Sequence, residues 1–315
     1  MVVGPSKSPR GRRAPTAHVV RRRSEGPIAT FSIAGFDPDT GDLGVAVASK
    51  FLAVGAYVPT AKAGVGAIAS QAHVNTTFGP RVLELLASGS SPDDCVQLLR
   101  TEDPGIDVRQ FGIVKAGGAS ASFTGEACHA WAGGVAGPNF AAQGNILAGS
   151  QVVDALVNTF QRDDLPFPER LIAALEAAEA AGGDRRGRES AALLVVGEAK
   201  GYAGLTDRWI DLRVDDHPTP VTELTRLLEL HRLYLDKPSA PARPLREADI
   251  LWLQEVLQRT QHLDRAPTGA WDEATERALE GLFGVENLEE RWTAGPRMDP
   301  VAWRHLQRIF GGWMT

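Results

Sequence analysis

Cysteine, methionine and tyrosine are scarce in this chain, at two, three and three residues of 315. Cys95 and Cys128 are too few for a disulfide framework, and their spacing fits no metal-ligand pattern. A reducing, cytoplasmic setting is therefore the expectation. No apolar run approaches the length of a membrane span, so no membrane partner is predicted. The arginines near the N-terminus are followed by no apolar stretch, which argues against a secretory signal. A Walker motif and a G-x-S-x-G elbow are both missing. "GVGAIA" (64–69) has the letters of a dinucleotide fingerprint, but no apolar strand precedes it and no crossover helix follows. A basic excess is also lacking. The net charge is −6, which makes nucleic acid an improbable partner.

What is present suffices for a sizeable core, since 43% of the residues are hydrophobic. Charge is uneven. Residues 1–29 hold Lys7 and six arginines against Glu25 alone, a net of +6, so the remainder carries −12. This front segment, rich in Arg, Pro, Ser and Gly and without period, reads as a basic disordered extension. It is retained, removed in maturation, or upstream of the true start.

From Thr30 the pattern changes. "TFSIAGFD" and "LGVAVASK" read as strands joined by the turn "PDTGD". "AGVGAIASQAHV" is a third strand. Two helices follow, the second with Ser91 as N-cap, Pro92 at N1 and Asp93 and Asp94 in its first turn. A hairpin turns at Gly117 and Gly118, and "NFAAQGNIL" is a short strand or a site loop. Two more helices, the strands "SAALLVV" and "WIDLRVD", and a helix capped by Thr219 complete a segment ending at Asp236. Strands come in adjacent pairs, which favours α+β architecture with antiparallel sheets covered by helices. "KPSAPARP" reads as a linker over 237–244, and residues 245–315 as a small all-α domain of three amphipathic helices. Few contacts are expected to cross the linker.

Candidate chemistry is sparse. Cys95 reads as core, and Cys128 and His129 are adjacent on a strand, which aims them apart. "RVDDHP" (213–218) reads as a solvated strand end rather than a metal site, and "GDRRGRES" (183–190) as a polar turn from which an arginine could hold a carboxylate. Thr30 is a small strand-start residue, expected to be exposed.

Five stretches, "TFSIAGFDPDTGDLGVAVASKFLAVGAYVP", "GVGAIASQAHVN", "AAQGNILAG", "AAGGDRRGRESAALLVV" and "DLRVDDHPTPVTELTRLL", carry a resemblance. On them, residues 30–236 resemble an uncharacterised bacterial and archaeal family classed with the N-terminal-nucleophile (Ntn) hydrolases. The resemblance implies a four-layer αββα sandwich. It also implies an amidohydrolase acting on a small amide or peptide-like substrate without cofactor or metal, with Thr30 in the nucleophile position. Its amine, once free, would be the base. Beside it, Lys50 would tune the site and Asn75 would donate to an oxyanion. Gln143 and Asn145 would bind substrate as amide donors, and Arg185 would hold a substrate carboxylate. The alternative is a catalytically silent binding or scaffold protein. The tail, through "LWLQEVLQ", "GAWDEATERAL" and "GVENLEERW", resembles a peptidoglycan-binding module. Its partner would be peptidoglycan or another protein, a homo-oligomer included, and Trp271 or Trp292 could stack on sugar rings.

Overall fold

Two antiparallel sheets are the frame of the computed structural model, which describes residues 1, 30–238 and 240–314. The expected basic extension lies outside the described residues. Twelve strands and eight α-helices occur among the described residues, so the chain is mixed α+β.

The larger sheet has the order β10-β9-β2-β1-β8-β7. Its strands are β1 (Thr30–Phe36), β2 (Leu43–Ser49), β7 (Gly133–Gly137), β8 (Phe140–Asn145), β9 (Ser190–Val196) and β10 (Arg208–Val214). The smaller sheet, β3-β4-β5-β6, comprises β3 (Pro59–Lys62), β4 (Gly66–Ala72), β5 (Arg109–Lys115) and β6 (Ser120–Thr124). Strand alternation sorts the side chains into two faces. Phe31, Ile33, Ala46 and Leu193 pack under α3 (Gln151–Phe160), α4 (Phe167–Ala180) and α5 (Pro220–Tyr234). Ile68, Phe111 and Ile113 pack under α1 (Phe78–Ala87) and α2 (Pro92–Glu102). The opposite faces of the two sheets meet through Ala34, Val45, Val47, Ala67, Ala69 and Val114.

Local chemistry explains the clearest element ends. Ser91 Oγ accepts from Asp94 N at 3.1 Å, and Asp94 Oδ2 accepts from Ser91 N at 3.0 Å, which closes a reciprocal cap on α2. Gly117 and Gly118, at φ of 94° and 90°, turn the β5–β6 hairpin where a Cβ would be strained.

The tail folds around its own core of Leu253, Val256, Leu257, Leu279, Leu282, Phe283 and Leu306. Its helices are α6 (Glu247–Arg259), α7 (Glu273–Val285) and α8 (Pro300–Phe310). Two features tie the segment read as a linker, and the helix before it, to the tail. Arg243–Pro244 form a short strand, β11, paired with β12 (Arg297–Met298). The last turn of α5 also enters the tail. Leu233 is buried in the tail core, and Tyr234 meets the His305 ring at 6.1 Å. Arg291, 3% exposed, donates to Leu233 O at 2.6 Å and to Arg232 O, and pairs with Asp299 at 3.2 Å. No helix among the described residues is long and apolar enough to cross a membrane.

Candidate active site

Thr30 opens β1, the strand flanked by β2 and β8, with Ser49 directly across on one side and Asn145 on the other. Alternation puts its side chain between the sheets, and Thr30 Oγ1 donates to Ser49 Oγ at 3.2 Å. Thr30 is 0% exposed, which corrects the reading of an exposed strand-start residue. The reason is topological, because a residue at the end of a central strand is covered by both neighbours and by the facing sheet.

Beneath it lies a closed network of amides. Gln71 on β4 donates to Thr30 O at 3.3 Å and to Gln110 Oε1 at 2.8 Å. Gln110 on β5 donates to Gly144 O at 2.8 Å and to Thr124 Oγ1 at 2.9 Å. Asn145 Nδ2 donates to Gln110 Oε1 at 2.9 Å, and Gln143 Nε2 donates to Ser32 Oγ at 2.7 Å. Ser32 Oγ in turn donates to Gln71 Oε1 at 2.6 Å. Ser32, Gln71, Gln110, Gln143 and Asn145 are all buried. Glycines make the room: a Cβ on Gly112 would overlap Gln143 Oε1, and one on Gly134 would meet Gln143 Cβ at 2.9 Å. Two of the strands end in left-handed residues beside their amides. Ala72 follows Gln71 at φ 63°, and the β-branched Ile146 follows Asn145 at φ 53°. Such conformations cost roughly 1–3 kcal/mol each and concentrate at functional sites.

Gln71, Gln110 and Ser32 escape a reading of residue types, because a polar residue in a strand looks like a solvated one. The available signal is phase. Gln71 continues the inward series Ala67, Ala69, and Gln110 continues Gly112, Val114.

The remaining expected site residues stand in loops at the Thr30 end of the sandwich. Lys50 follows Ser49, but its ammonium pairs with Glu189 at 3.2 Å and its side chain is 42% exposed. Asn75 serves the local turn: its Oδ1 accepts from Thr77 N and Oγ1 at 3.1 and 2.7 Å, and its Nδ2 donates to Asp103 at 3.2 Å. Arg185 is exposed, and its backbone N–H reaches Ile146 O at 3.0 Å, next to Asn145. Asp184 organises this loop, accepting from Lys50 N at 2.8 Å and pairing with Arg186 at 3.1 Å. His217 Nδ1 accepts from Thr219 N at 3.1 Å, so "RVDDHP" is a strand end leading into a helix.

A cavity of about 120 Å³ opens at the same end, on the helix side of the larger sheet. Phe31, Ala48, Ser49, Glu179, Asp184 and Arg188 are among its lining. Burial pushes the Glu179 carboxyl up, although Arg188 lies 3.3 Å away. In the tail, Trp271 and Trp292 are half-buried against the core, and Trp292 packs edge-on to Phe283 at 5.3 Å.

Residues 30–224 match the model of a family described as "Family of unknown function (DUF1028)". The chain belongs to this family. The DUF1028 match begins at Thr30, the residue that opens β1. A crystal structure of a Silicibacter pomeroyi protein assigned to DUF1028 is 36% identical, covering 65% of this chain and 89% of that one, with a TM-score of 0.60. Residues 234–306 match a model described as "Putative peptidoglycan binding domain". No curated protein matches the chain.

Proposed function

We propose that residues 30–236 are an Ntn-type amidohydrolase whose nucleophile is Thr30. The observation that carries this is the position of Thr30. It is the first residue of the family match and of a central strand, and its hydroxyl lies against Ser49 over a buried amide network. Two facing sheets with helices on their outer faces are also what the four-layer Ntn resemblance implies.

The chemistry follows from a free Thr30 amine, whose reference pKa is about 7.7–8.0. The amine takes the hydroxyl proton as Oγ1 attacks the carbonyl of a small amide or peptide-like substrate. The C–N bond breaks, the departing amine takes that proton, and an ester to Thr30 remains. Water, deprotonated by the same amine, then hydrolyses the ester. Gln143 and Asn145 face the reaction from β8. Lys50 and Arg185 act from the rim, where the Arg185 guanidinium would hold a substrate carboxylate, whereas Asn75 would have to leave Thr77 and Asp103 to donate. With residues 1–29 attached the Thr30 nitrogen is a peptide nitrogen, so this reading requires that they be removed or lie upstream of the true start.

Mass spectrometry of the native protein tests it. The expected mature chain begins at Thr30 and gains one acyl mass on that residue when treated with a β-lactone. A native protein that keeps Met1 while hydrolysing amides sinks the mechanism.

The tail supports a second reading, a binding protein directed to peptidoglycan. Co-sedimentation of the full-length protein with purified peptidoglycan, competed by soluble fragments, tests it. Failure to sediment leaves docking or self-association as the use of the tail.

A further inference from the structure

The amides of β8 are asymmetric. Their nitrogens are engaged, but Asn145 Oδ1 and Gln143 Oε1 are buried acceptors that receive no hydrogen bond. Asn145 is 1% exposed, and an orphaned polar atom at such depth is costly unless something is meant to meet it.

The polarity of the network is forced. Gln110 Nε2 lies 2.8 Å from Gly144 O and 3.3 Å from Gly133 O. Backbone carbonyls only accept, so the nitrogen of Gln110 must face them. Its Oε1 then faces Gln71 and Asn145, and both must present N–H groups to it, as they do at 2.8 and 2.9 Å. Gln71 in that orientation turns its Oε1 to Ser32, whose oxygen accepts from Gln143. Two carbonyls therefore set every amide in the chain of bonds. Their effect at the far end is that Asn145 shows an acceptor on the strand position directly across from Thr30. Paired Cβ atoms there lie roughly 5 Å apart.

We infer that Asn145 Oδ1 is the acceptor for the Thr30 α-amine once that amine is freed, and that Gln110 is the positioning residue that holds Asn145 in this orientation. The inference rests on the Thr30 reading and changes one role within it. Asn145 cannot then donate to substrate, as its residue type suggests. An amine N–H bonded to Oδ1 leaves the nitrogen lone pair to take the hydroxyl proton. The same acceptor favours the charged ammonium and holds the amine pKa up.

The test uses the full-length chain with a factor Xa recognition sequence in place of residues 26–29, so that cleavage exposes Thr30. The pH dependence of acetylation by trace acetic anhydride, read by peptide mass spectrometry, gives the amine pKa. Asn145→Ala and Gln110→Leu should each lower it by about one unit. Thr124→Val, which removes only a side bond of Gln110, should leave it unchanged. Asn145→Ser, with a shorter acceptor, should fall between parent and Ala, and it stands in if Asn145→Ala does not fold. An unchanged or raised pKa in the position-145 variants overturns the inference. This titration is separate from the β-lactone adduct on native protein, so the loss of one reading is distinguishable from the loss of the other.

Discussion

The space between the two sheets has two different halves. Toward one end it is apolar and small-residue, with Ala34, Val45, Val47, Ala67, Val114 and Leu194. Toward the Thr30 end, the same inward face of the same strands turns polar. β1 passes from Ala34 to Ser32 and Thr30, β2 from Val47 to Ser49, β4 from Ala69 to Gln71, β5 from Val114 to Gln110, and β9 from Ala192 to Ser190. Five strands change character at one level, so the polarity belongs to a layer of the molecule rather than to isolated substitutions. Apolar filling would serve packing at roughly 25 cal/mol per Å² buried. A buried amide contributes only about 1 kcal/mol net when satisfied and costs about 1–3 kcal/mol when orphaned. Stability alone gives no reason for the amide layer, whereas the chemistry proposed at the Thr30 end does.

The largest expected effect comes from removing the hub of that layer. Gln110→Leu leaves Asn145 Nδ2 without its acceptor, takes a donor from Gly144 O and leaves Gln71 Nε2 only its longer bonds to backbone carbonyls such as Thr30 O, so it should destabilise by roughly 3 kcal/mol. Val114→Ala, two residues along the same face, removes apolar volume alone and should cost roughly 1.5–2.5 kcal/mol. Urea unfolding of both variants decides. Equal effects would mean that the amide layer behaves as ordinary packing.

Thr30→Ala comes next. Its hydroxyl is buried and bonded to Ser49, so the variant should lose about 1 kcal/mol, and Thr30→Ser should lose less. An unchanged unfolding midpoint would show that the hydroxyl is held for chemistry without contributing to the fold.

The two halves were not equally legible in the sequence. Ser91 capping, the Gly117–Gly118 hairpin and the paired-strand order were open to reading because turn chemistry and apolar alternation are local signals. The polar half was hidden. Gln71 and Gln110 look like surface residues until the facing sheet is known, and Asn75, plausible as an oxyanion donor, is held by its own turn and Asp103. β3 and β7 were missed for a related reason: "PTAK" and "GGVAG" carry too few apolar or β-branched residues to announce a strand. The segment 237–244 reads as a linker from its prolines, but the register that pairs Arg243–Pro244 with Arg297–Met298 is set by distant sequence.

Acid sharpens the comparison further. Thr, Ser, Gln and Asn make up the polar layer, and none of them titrates in the working range. Acid sensitivity should appear instead where α5 meets the tail. Burial pushes the His231 and His305 pKa values down. Asp236 at 3.8 Å opposes this for His231 while Arg232 adds to it, and Arg308 adds to it for His305, which also faces the Tyr234 ring. A depressed folded-state pKa means that the unfolded chain binds protons first. The stabilisation is therefore complete above about pH 6.5 and is lost as pH falls below it. Hydrogen exchange between pH 7 and 5 should show α5–α8 contacts opening while β1, β4 and β5 stay protected. His305→Gln should flatten the response. Parallel loss of protection in β4 and the tail would place the sensitive group elsewhere.

The smallest effect is expected at Lys50. It stands next to Ser49, yet its ammonium is matched by Glu189 and its side chain is well hydrated. An exposed pair of this kind is worth at most a few tenths of a kcal/mol after screening, so Lys50→Ala should barely move the unfolding midpoint. The paired carboxylate also cancels much of the field that Lys50 projects toward Thr30. The rate of β-lactone acylation of mature protein should therefore fall less than about tenfold in Lys50→Ala at physiological salt, and Glu189→Gln, which frees the ammonium, should raise it. If Lys50→Ala instead abolishes acylation while the fold is intact, the lysine must leave Glu189 during the reaction. The rim would then belong with the buried amides in the proposed site.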